Sequence, residues 1–496
     1  MIKLIYRIES DYMNKKRMLI VTSVILLVVT ISLGIVKLYQ TYALSNYIGA
    51  ETDTGIDVYI NDDSYASIPA NGSSNVYYML TNTNPGTVKY GVAYQTTSGV
   101  TVKVYDTSED PATGTIEENG KKYIKLYLEN KNSTNKTIEL STVLGYENGG
   151  DLVVPSGVTL VTDTYTPPPS AAEYITKLYT DASKTTVTNN SITYNTAPSV
   201  SLMNDRLGGT TTSLDGGNIR YYGANPNNYI YFNCSDYNNQ SSSTCETWRI
   251  IGIFDGKLKI IRNESIGGYA WDNKNKSTGA ENDLGKNDWT TARLMKLLNP
   301  SDYYTTDSND NGLGQSLYWN SASGKCYSGK NNATVDCNFT STGIKNDVTR
   351  NLISEETWNI GGWNSNSVYS NQIYEYERGT TVYSGRTTTW TGKIGLMYPS
   401  DYGYAADLSK CTQNLRDYDN STCKINDWLF NSNNKWTLTH YSGYSAYAWY
   451  VTSTGFVYGN YGAFNTLGVR PVLYLDSDVA MGPGDGTSSN PYKLSA

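Results

Sequence analysis

Six cysteines are the residues of this sequence whose type and spacing most directly predict covalent chemistry. Three similar short spacings predict three local disulfides, each stabilising the fold by about 3 kcal/mol through loop-closure entropy. A zinc site is not expected, because the sequence lacks the tight Cys-x-x-Cys and histidine ligands that zinc needs. Disulfides require an exported, oxidising location. The predicted pairs are Cys234 with Cys245, Cys326 with Cys337, and Cys411 with Cys423.

Among residues that could act as general acids or bases, the single histidine and one pair of adjacent glutamates are the first candidates. His440 is the only histidine, so Ser-His-Asp or Cys-His catalysis would have no other base, and packing is the preferred interpretation. Adjacent Glu355 and Glu356 point away from each other on a predicted helix, so a glycosidase would need distant carboxylate partners. We therefore predict no catalytic residue and no enzyme, with a glycan-acting hydrolase left as an alternative.

A calcium loop is half matched by Asp307-Ser-Asn309-Asp-Asn311-Gly312, in which alternating oxygen ligands precede a glycine turn. Tyr318 stands where the second half of the motif requires a bidentate glutamate. An Asx-rich surface loop is the preferred interpretation. We expect no cofactor, and Asp307, Asn309 and Asn311 are the calcium candidates.

Tyrosine, serine, asparagine and glycine dominate the segment between His440 and Asn465. Tyrosine offers a large rigid ring and a hydroxyl at low entropic cost, and the small polar residues adapt their hydrogen bonds, as in antibody paratopes. The alternative is that a tyrosine-rich chain places this residue on every strand, as residues 77–127 also show. The candidate ligand-binding residues are Tyr441, Tyr444, Tyr447, Tyr450, Tyr458, Asn460, Tyr461 and Asn465.

Other residues around this segment are predicted to be structural. Arg470 is expected to clamp an ion pair or a backbone carbonyl rather than to contact a ligand. The predicted core residues of this region are Trp449, Val451, Val469, Val472 and Leu473.

Composition limits the classes of partner. Charged residues make up 17% of the 496 residues, whereas tyrosine and glycine number 45 and 44, which is typical of a secreted β-rich surface protein. The net charge of -7 argues against nucleic acid, because phosphate contacts need clustered lysine and arginine. The length allows more than one hydrophobic core.

Residues 18–36 form an uncharged run long enough to cross a membrane as one helix. The basic residues 15–17 precede it, so the positive-inside rule predicts a cytoplasmic stub at 1–17 and an extracellular remainder. Residues 41–43 resemble a small-x-Ala cleavage site, and cleavage there would release a secreted protein. The prediction is a single-pass membrane anchor with the N-terminus inside.

The extracellular part is predicted to contain two domains. Alternating apolar residues predict an immunoglobulin-like β-sandwich spacer at 51–163, and a proline-rich linker follows at 164–170. Helices expected after Asp288 and over 346–358, set among short strands, predict an α+β head at 171–496.

Within the head, residues 210–494 resemble a known family. The motifs that carry the resemblance are WRIIGIFDGKLKIIR from residue 248, the helix end LLNP, the AWYV stretch at 448–451, and GVRPV at 468–472. They are similar to C-type-lectin-like surface domains of Firmicutes, to the Fibrobacter major paralogous domain, and to the formylglycine-generating-enzyme fold. The resemblance implies a C-type-lectin-like fold whose variable relatives bind ligands through tyrosine, asparagine and serine. It does not imply catalysis, because Cys423, the last cysteine, precedes the core where the enzymes hold their reactive pair.

The predicted fold class is therefore a multi-domain chain with an N-terminal transmembrane helix, an all-β immunoglobulin-like sandwich and an α+β C-type-lectin-like domain. The predicted function is that of a membrane-anchored bacterial adhesin. It would bind an extracellular glycan or protein through the tyrosine-rich face. The alternatives are a cell-envelope enzyme acting on glycans and a structural surface-layer component.

Overall fold

The structure, a computed structural model, describes residues 48–51, 56–60, 65–82, 86–146, 152–272, 285–305, 312–326 and 335–495. The chain divides into two compact units whose boundary falls between Pro167 and Pro168. The predicted transmembrane segment at 18–36 and the calcium candidates Asp307, Asn309 and Asn311 lie outside the described residues.

The described part of the first unit consists of two sheets, in which most neighbouring strands are antiparallel. Their strands are β1 (Ile48–Glu51), β2 (Ile56–Ile60), β3 (Tyr65–Ile68), β4 (Gly72–Asn82), β5 (Val88–Gln95), β6 (Val100–Tyr105), β7 (Thr113–Ile116), β8 (Lys121–Asn130), β9 (Lys136–Tyr146), β10 (Val158–Leu160) and β11 (Thr164–Tyr165). One sheet has the order β1-β2-β4-β8-β6-β11, and the other has the order β10-β5-β9-β3 with β7 beside β5.

Period-two patterning explains these strands, because alternate side chains of a strand point to opposite faces of its sheet. In β8 the residues Ile124, Leu126 and Leu128 are fully buried, while the residues between them stay partly exposed. Residues from both sheets form one hydrophobic cluster. Tyr78 lies in this cluster, and its hydroxyl shares a hydrogen bond of 2.7 Å with that of Thr142.

The second unit contains most of the chain's described strands. They are β12 (Thr185–Asn189), β13 (Ile192–Ala197), β14 (Leu202–Asn204), β15 (Ile219–Tyr221), β16 (Tyr229–Phe232), β17 (Glu246–Phe254), β18 (Lys257–Arg262), β19 (Gly268–Ala270), β20 (Ser323–Cys326), β21 (Val335–Asn338), β22 (Glu356–Asn359), β23 (Thr389–Gly392), β24 (Ile394–Gly395), β25 (Lys435–His440), β26 (Tyr447–Val451), β27 (Val457–Gly462), β28 (Thr466–Gly468), β29 (Val472–Tyr474), β30 (Ala480–Met481) and β31 (Leu494–Ser495).

The α-helices described in this unit are short. They are α1 (Ala171–Asp181), α2 (Arg293–Leu298), α3 (Asp347–Asn351), α4 (Ser370–Glu377), α5 (Pro399–Ala405) and α6 (Ser421–Ile425). The helix α1 begins at a capping box, in which the Ser170 hydroxyl accepts from the Glu173 amide and the Glu173 carboxylate accepts from the Ser170 amide.

Two larger sheets organise the second unit. The first has the order β12-β13-β14-β15-β17-β18-β29-β24, with β16 beside β17, and the second has the order β19-β28-β25-β26-β27. Residues of both sheets share one hydrophobic cluster, to which β17 contributes Trp248, β25 contributes Trp436 and β26 contributes Trp449. Each of these three tryptophans is at most 1% exposed. The second sheet and its turns carry the candidate ligand-binding residues, and the buried indole rings of Trp436 and Trp449 anchor this sheet in the core.

The predicted fold class is wrong. Strands dominate both units, the longest described helix is α1 with 11 residues, and no helix of the described ranges is long and apolar enough to span a membrane. The described part of the head is thus mostly β-sheet with few short helices, whereas the sequence predicts an α+β domain with two helices set among short strands.

Two predicted helices are shorter than expected, for local reasons. Asp288 caps a separate 3-10 turn by accepting from the Thr290 amide, and extended Ala292 delays α2 until Arg293. The helix expected over 346–358 ends at Asn351 as α3. Trp358 instead lies in β22 opposite Trp390, and its indole Nε1 donates to the Gly392 carbonyl at 3.1 Å.

Candidate functional site

Tyr450, Tyr458 and Tyr461 form a group of half-buried rings on the second sheet of the second unit, here called the tyrosine platform. Tyr450 lies on β26 directly opposite Tyr458 of β27. The rings of Tyr450 and Tyr461 stack with centroids 4.6 Å apart and planes 28° apart. A register shift between β26 and β27 brings Tyr461 beside this pair.

Trp436 supports the platform from the neighbouring strand β25. It pairs with Tyr450 in the register, and its ring centroid lies 6.3 Å from that of Tyr450 and 5.9 Å from that of Tyr461. Its indole Nε1 donates to the Tyr269 carbonyl at 3.0 Å. Burial raises the pKa of the Tyr450 hydroxyl, and the neighbouring Tyr461 and Tyr458 raise it further. The Tyr450 hydroxyl is therefore uncharged at physiological pH, and its ring is held between Trp436 and Tyr461.

Tyr441, Tyr444 and Tyr447 form a second group around the turn between β25 and β26, here called the loop tyrosines. The ring centroids of Tyr444 and Tyr447 are 4.5 Å apart, and those of Tyr441 and Tyr447 are 6.3 Å apart. The Tyr441 hydroxyl donates a hydrogen bond to the Asn364 carbonyl at 2.5 Å, and this bond fixes the position of the ring. Tyr444 and Tyr447 are half-buried.

A single buried amide fixes the backbone of the loop tyrosines. The Nδ2 atom of Asn287 donates to the carbonyls of Tyr441, Tyr444 and Tyr447 at 3.0, 2.8 and 2.9 Å. Arg386 supports the same loop by donating from Nη2 to the Ser445 carbonyl at 3.0 Å. The loop is thus held in a defined conformation.

His440, the single histidine, is a packing residue in this structure. It is 3% exposed, and its Nε2 accepts a hydrogen bond of 3.2 Å from the Tyr383 amide. Burial lowers the pKa of His440 to about 4, and the positive charge of Arg386 lowers it too. A neutral imidazole that already accepts a backbone bond has no free lone pair with which to act as a base.

The backbone beside the platform requires a glycine. A Cβ atom at Gly459 would lie 2.5 Å from Cδ2 of Tyr441 and 2.6 Å from Cε2 of Trp449. The Gly459 amide donates to Oδ1 of Asn366 at 2.8 Å. The next residue, Asn460, is exposed.

Asn465, the last candidate, caps its own turn. Its backbone amide and its side-chain Nδ2 both donate to the Gly462 carbonyl, at 3.0 and 2.9 Å. The side chain is half-buried. The candidates thus divide into a platform, a loop group and the two asparagines. Tyr447 and Tyr450 lie three residues apart on β26, so their side chains point to opposite faces of the sheet.

A stacked pair near the loop tyrosines was not predicted from the sequence. The rings of Trp363 and Tyr376 lie parallel, with centroids 3.8 Å apart and planes 6° apart, and both are half-buried. Trp363 forms a β-bridge with Tyr441, and its carbonyl accepts from the Ser442 amide. A tryptophan within the Gly- and Asn-rich sequence GGWNSNS was the only available indication of this pair.

The two adjacent glutamates lie away from both tyrosine groups and have partners of their own. Glu355 accepts from the Tyr303 hydroxyl at 2.6 Å. Glu356, the first residue of β22, forms an ion pair with Lys257 and accepts from the Ser354 hydroxyl at 2.8 Å. The described ranges hold no cluster of His, Cys, Asp and Glu side chains suited to a metal ion.

The predicted disulfide bonds are confirmed. The structure joins Cys234 to Cys245, Cys326 to Cys337, and Cys411 to Cys423. Disulfides persist in oxidising compartments, so these three bonds indicate an extracellular or otherwise oxidising environment. No family model matches the chain, and no curated protein matches it either.

Proposed function

We propose that the second unit binds an extracellular glycan through the tyrosine platform. The observation that carries this proposal is the stack of Tyr450 on Tyr461, which is half-exposed and supported by the buried ring of Trp436. Flat aromatic faces with hydroxyl groups suit the apolar face and the hydroxyls of a sugar ring. A surface protein with this site acts as an adhesin.

Rigidity supports the same proposal. The platform lies on paired strands, and the buried ring of Trp436 packs against both Tyr450 and Tyr461. Sites on rigid elements lose little conformational entropy when a ligand binds. Asn460, exposed beside Gly459, adds an amide that can donate and accept hydrogen bonds at the platform edge.

The test is to probe glycan and extracellular-protein arrays with the purified chain and with a Tyr458→Ala, Tyr461→Ala double variant. We expect the chain to bind one class of glycan and the variant to lose affinity by about tenfold or more. The matched control is Tyr65→Ala with Tyr123→Ala, because these tyrosines of the first unit are 43% and 44% exposed. The control is expected to bind like the unmodified chain.

Three outcomes separate the alternatives. Glycan binding that survives in the platform variant places the site elsewhere and rejects this proposal. Binding to a protein and to no glycan rejects a glycan as the ligand but keeps the tyrosine platform as the binding surface. Consumption of a glycan without stable binding favours the hydrolase, and self-association of the chain without any ligand favours the structural component.

A further inference from the structure

A cleft of about 380 Å³ lies at the beginning of β25, between the loop that precedes this strand and the edge formed by β19 and β28. Its size is at the lower end of the range for small-molecule sites. The residues relevant here are Glu264, Ser265, Asn431, Asn434, Lys435 and Arg470. None of them belongs to the tyrosine platform or to the loop tyrosines.

Two buried cations line this cleft. Lys435 is 2% exposed and Arg470 is 7% exposed, and neither forms an ion pair with a carboxylate of the described residues. Burial lowers the pKa of Arg470 to about 10 and that of Lys435 to about 7, and Arg470 itself is the largest charged influence on Lys435. Two neighbouring buried cations that form no ion pair are costly to bury.

Existing contacts use only part of the hydrogen-bonding capacity of these side chains. Arg470 donates from Nε to the Arg262 carbonyl at 2.8 Å, which is the backbone contact expected from the sequence, and Lys435 donates to the Leu429 carbonyl at 3.2 Å. An arginine has five N–H donors and a lysine has three. Several donors therefore remain for a ligand in the cleft.

The carboxyl groups of Glu264 and Asp427 act electrostatically on Arg470, and Asp427 also acts on Lys435, but neither carboxyl forms an ion pair with these cations. Arg262 is paired with Glu246 at 2.9 Å, and Glu264 is exposed at the cleft. Asp427 is buried nearby, and burial raises the pKa of its carboxyl to about 7. Arg249 adds a further positive charge that acts on Arg470.

A polar acceptor completes the cleft. The Oδ1 atom of Asn431 is buried and has no hydrogen-bond partner in the part of the chain that the structure describes. A buried acceptor of this kind is costly unless a ligand or water donates to it. A sugar hydroxyl is such a donor.

We propose that this cleft binds an oxyanion group, the carboxylate or sulfate of an acidic sugar, through Arg470 and Lys435, with Asn431 accepting from a hydroxyl. The guanidinium fork suits two oxygens of either group. The proposal stands on residues separate from the tyrosine platform, so either site can fail while the other holds.

Isothermal titration at constant ionic strength provides the test, with glucuronate, sulfate and neutral glucose as probes. Glucuronate and glucose differ by one carboxylate, so that pair isolates the contribution of the charge. We expect saturable binding of glucuronate and none of glucose, and about tenfold weaker binding in Arg470→Gln and in Lys435→Met. Sulfate that competes with glucuronate identifies the shared oxyanion site, and tighter sulfate binding favours a sulfated sugar.

Lys410→Gln is the matched control, because it removes one positive charge from a side chain that is 54% exposed and outside the cleft. It should bind glucuronate like the unmodified chain. If Arg470→Gln does not fold, Lys435→Met still decides, because methionine fills the buried space without an unpaired charge. Equal binding in both cleft variants, or no saturable binding of either anion, overturns the proposal.

Discussion

Arg386 donates a hydrogen bond from Nε to Oδ1 of Asn287 at 3.1 Å, although 99 residues separate the two in the chain. The same asparagine donates from Nδ2 to the backbone carbonyls of all three loop tyrosines. Because Asn287 is 1% exposed, solvent cannot replace these bonds. One amide therefore links the segment before α2 to the turn between β25 and β26.

Asn287→Ala is expected to destabilise the second unit by about 2 kcal/mol, because three carbonyls and the Arg386 side chain lose a buried partner. Urea unfolding followed by tryptophan fluorescence measures the change. Asn465→Ala is the control, since its amide donates only to the Gly462 carbonyl of its own turn. Equal losses in the two variants would show that Asn287 has no special role in holding the loop.

Acid should destabilise the second unit through His440. Burial lowers the pKa of the His440 imidazole from 6.5 to about 4. The positive charge of Arg386 also lowers this pKa, and the negative charge of Asp288 raises it. Since the folded-state pKa lies below the unfolded one, stability is complete above 6.5 and falls as the pH drops toward about 4. The loss from this residue is about 3 kcal/mol.

His440→Gln isolates that contribution, because the glutamine oxygen can still accept from the Tyr383 amide and does not titrate. We expect the unmodified chain to lose about 3 kcal/mol more than the variant between about pH 7 and pH 4. Denaturant unfolding at each pH provides the measurement. Parallel pH curves for the two proteins would exclude His440 as the cause of acid sensitivity.

Strands of the first unit were accessible from sequence, because their apolar residues alternate over long runs. Ile124, Leu126 and Leu128 fall on β8, and Ile138 and Leu140 fall on β9. The early end of the helix expected over 346–358 could not be predicted in this way. Trp358 pairs with Trp390, and these two residues are far apart in the chain. Local helical spacing cannot outweigh such a long-range contact.

The candidate site shows the same division. The richness in tyrosine singled out Tyr450 and Tyr461, but stacking depends on a register shift between β26 and β27 that no local pattern specifies. Asn465 has the right composition and yet caps its own turn. Asn287 and Trp363 were missed because both lie 78 or more residues before Tyr441 in the sequence. They contact the turn only because the chain folds back on itself.

Reduction of the disulfides should destabilise the second unit and leave the first unchanged. All six cysteines lie in the second unit, and each bond closes a loop of 11 or 12 residues. Loop-closure entropy predicts about 3 kcal/mol for each bond. Calorimetry with and without a reductant checks this prediction, with the melting of the first unit as internal control. A common shift of both transitions would contradict it.

A buried ionic chain connects the first large sheet of the second unit to α5. The Asp401 carboxylate pairs with Lys259 of β18 at 2.6 Å and with Arg220 of β15 at 2.8 Å, and Arg220 pairs with Asp205 at 2.5 Å. Lys259 and Asp401 are at most 1% exposed. The two cations hold the pKa of the Asp401 carboxyl below its usual value despite burial.

Asp401→Asn should therefore cost about 3–5 kcal/mol, because it leaves the buried Lys259 without its carboxylate partner and Arg220 with Asp205 alone. Lys259→Met should cost clearly less, because Asp401 keeps Arg220 as its partner and burial already lowers the pKa of Lys259 to about 8. Comparing the two variants by denaturant unfolding separates a lost counter-ion from lost packing. A larger loss in Lys259→Met than in Asp401→Asn would show that the packing of the lysine stem, and not the balance of charge, dominates this part of the core.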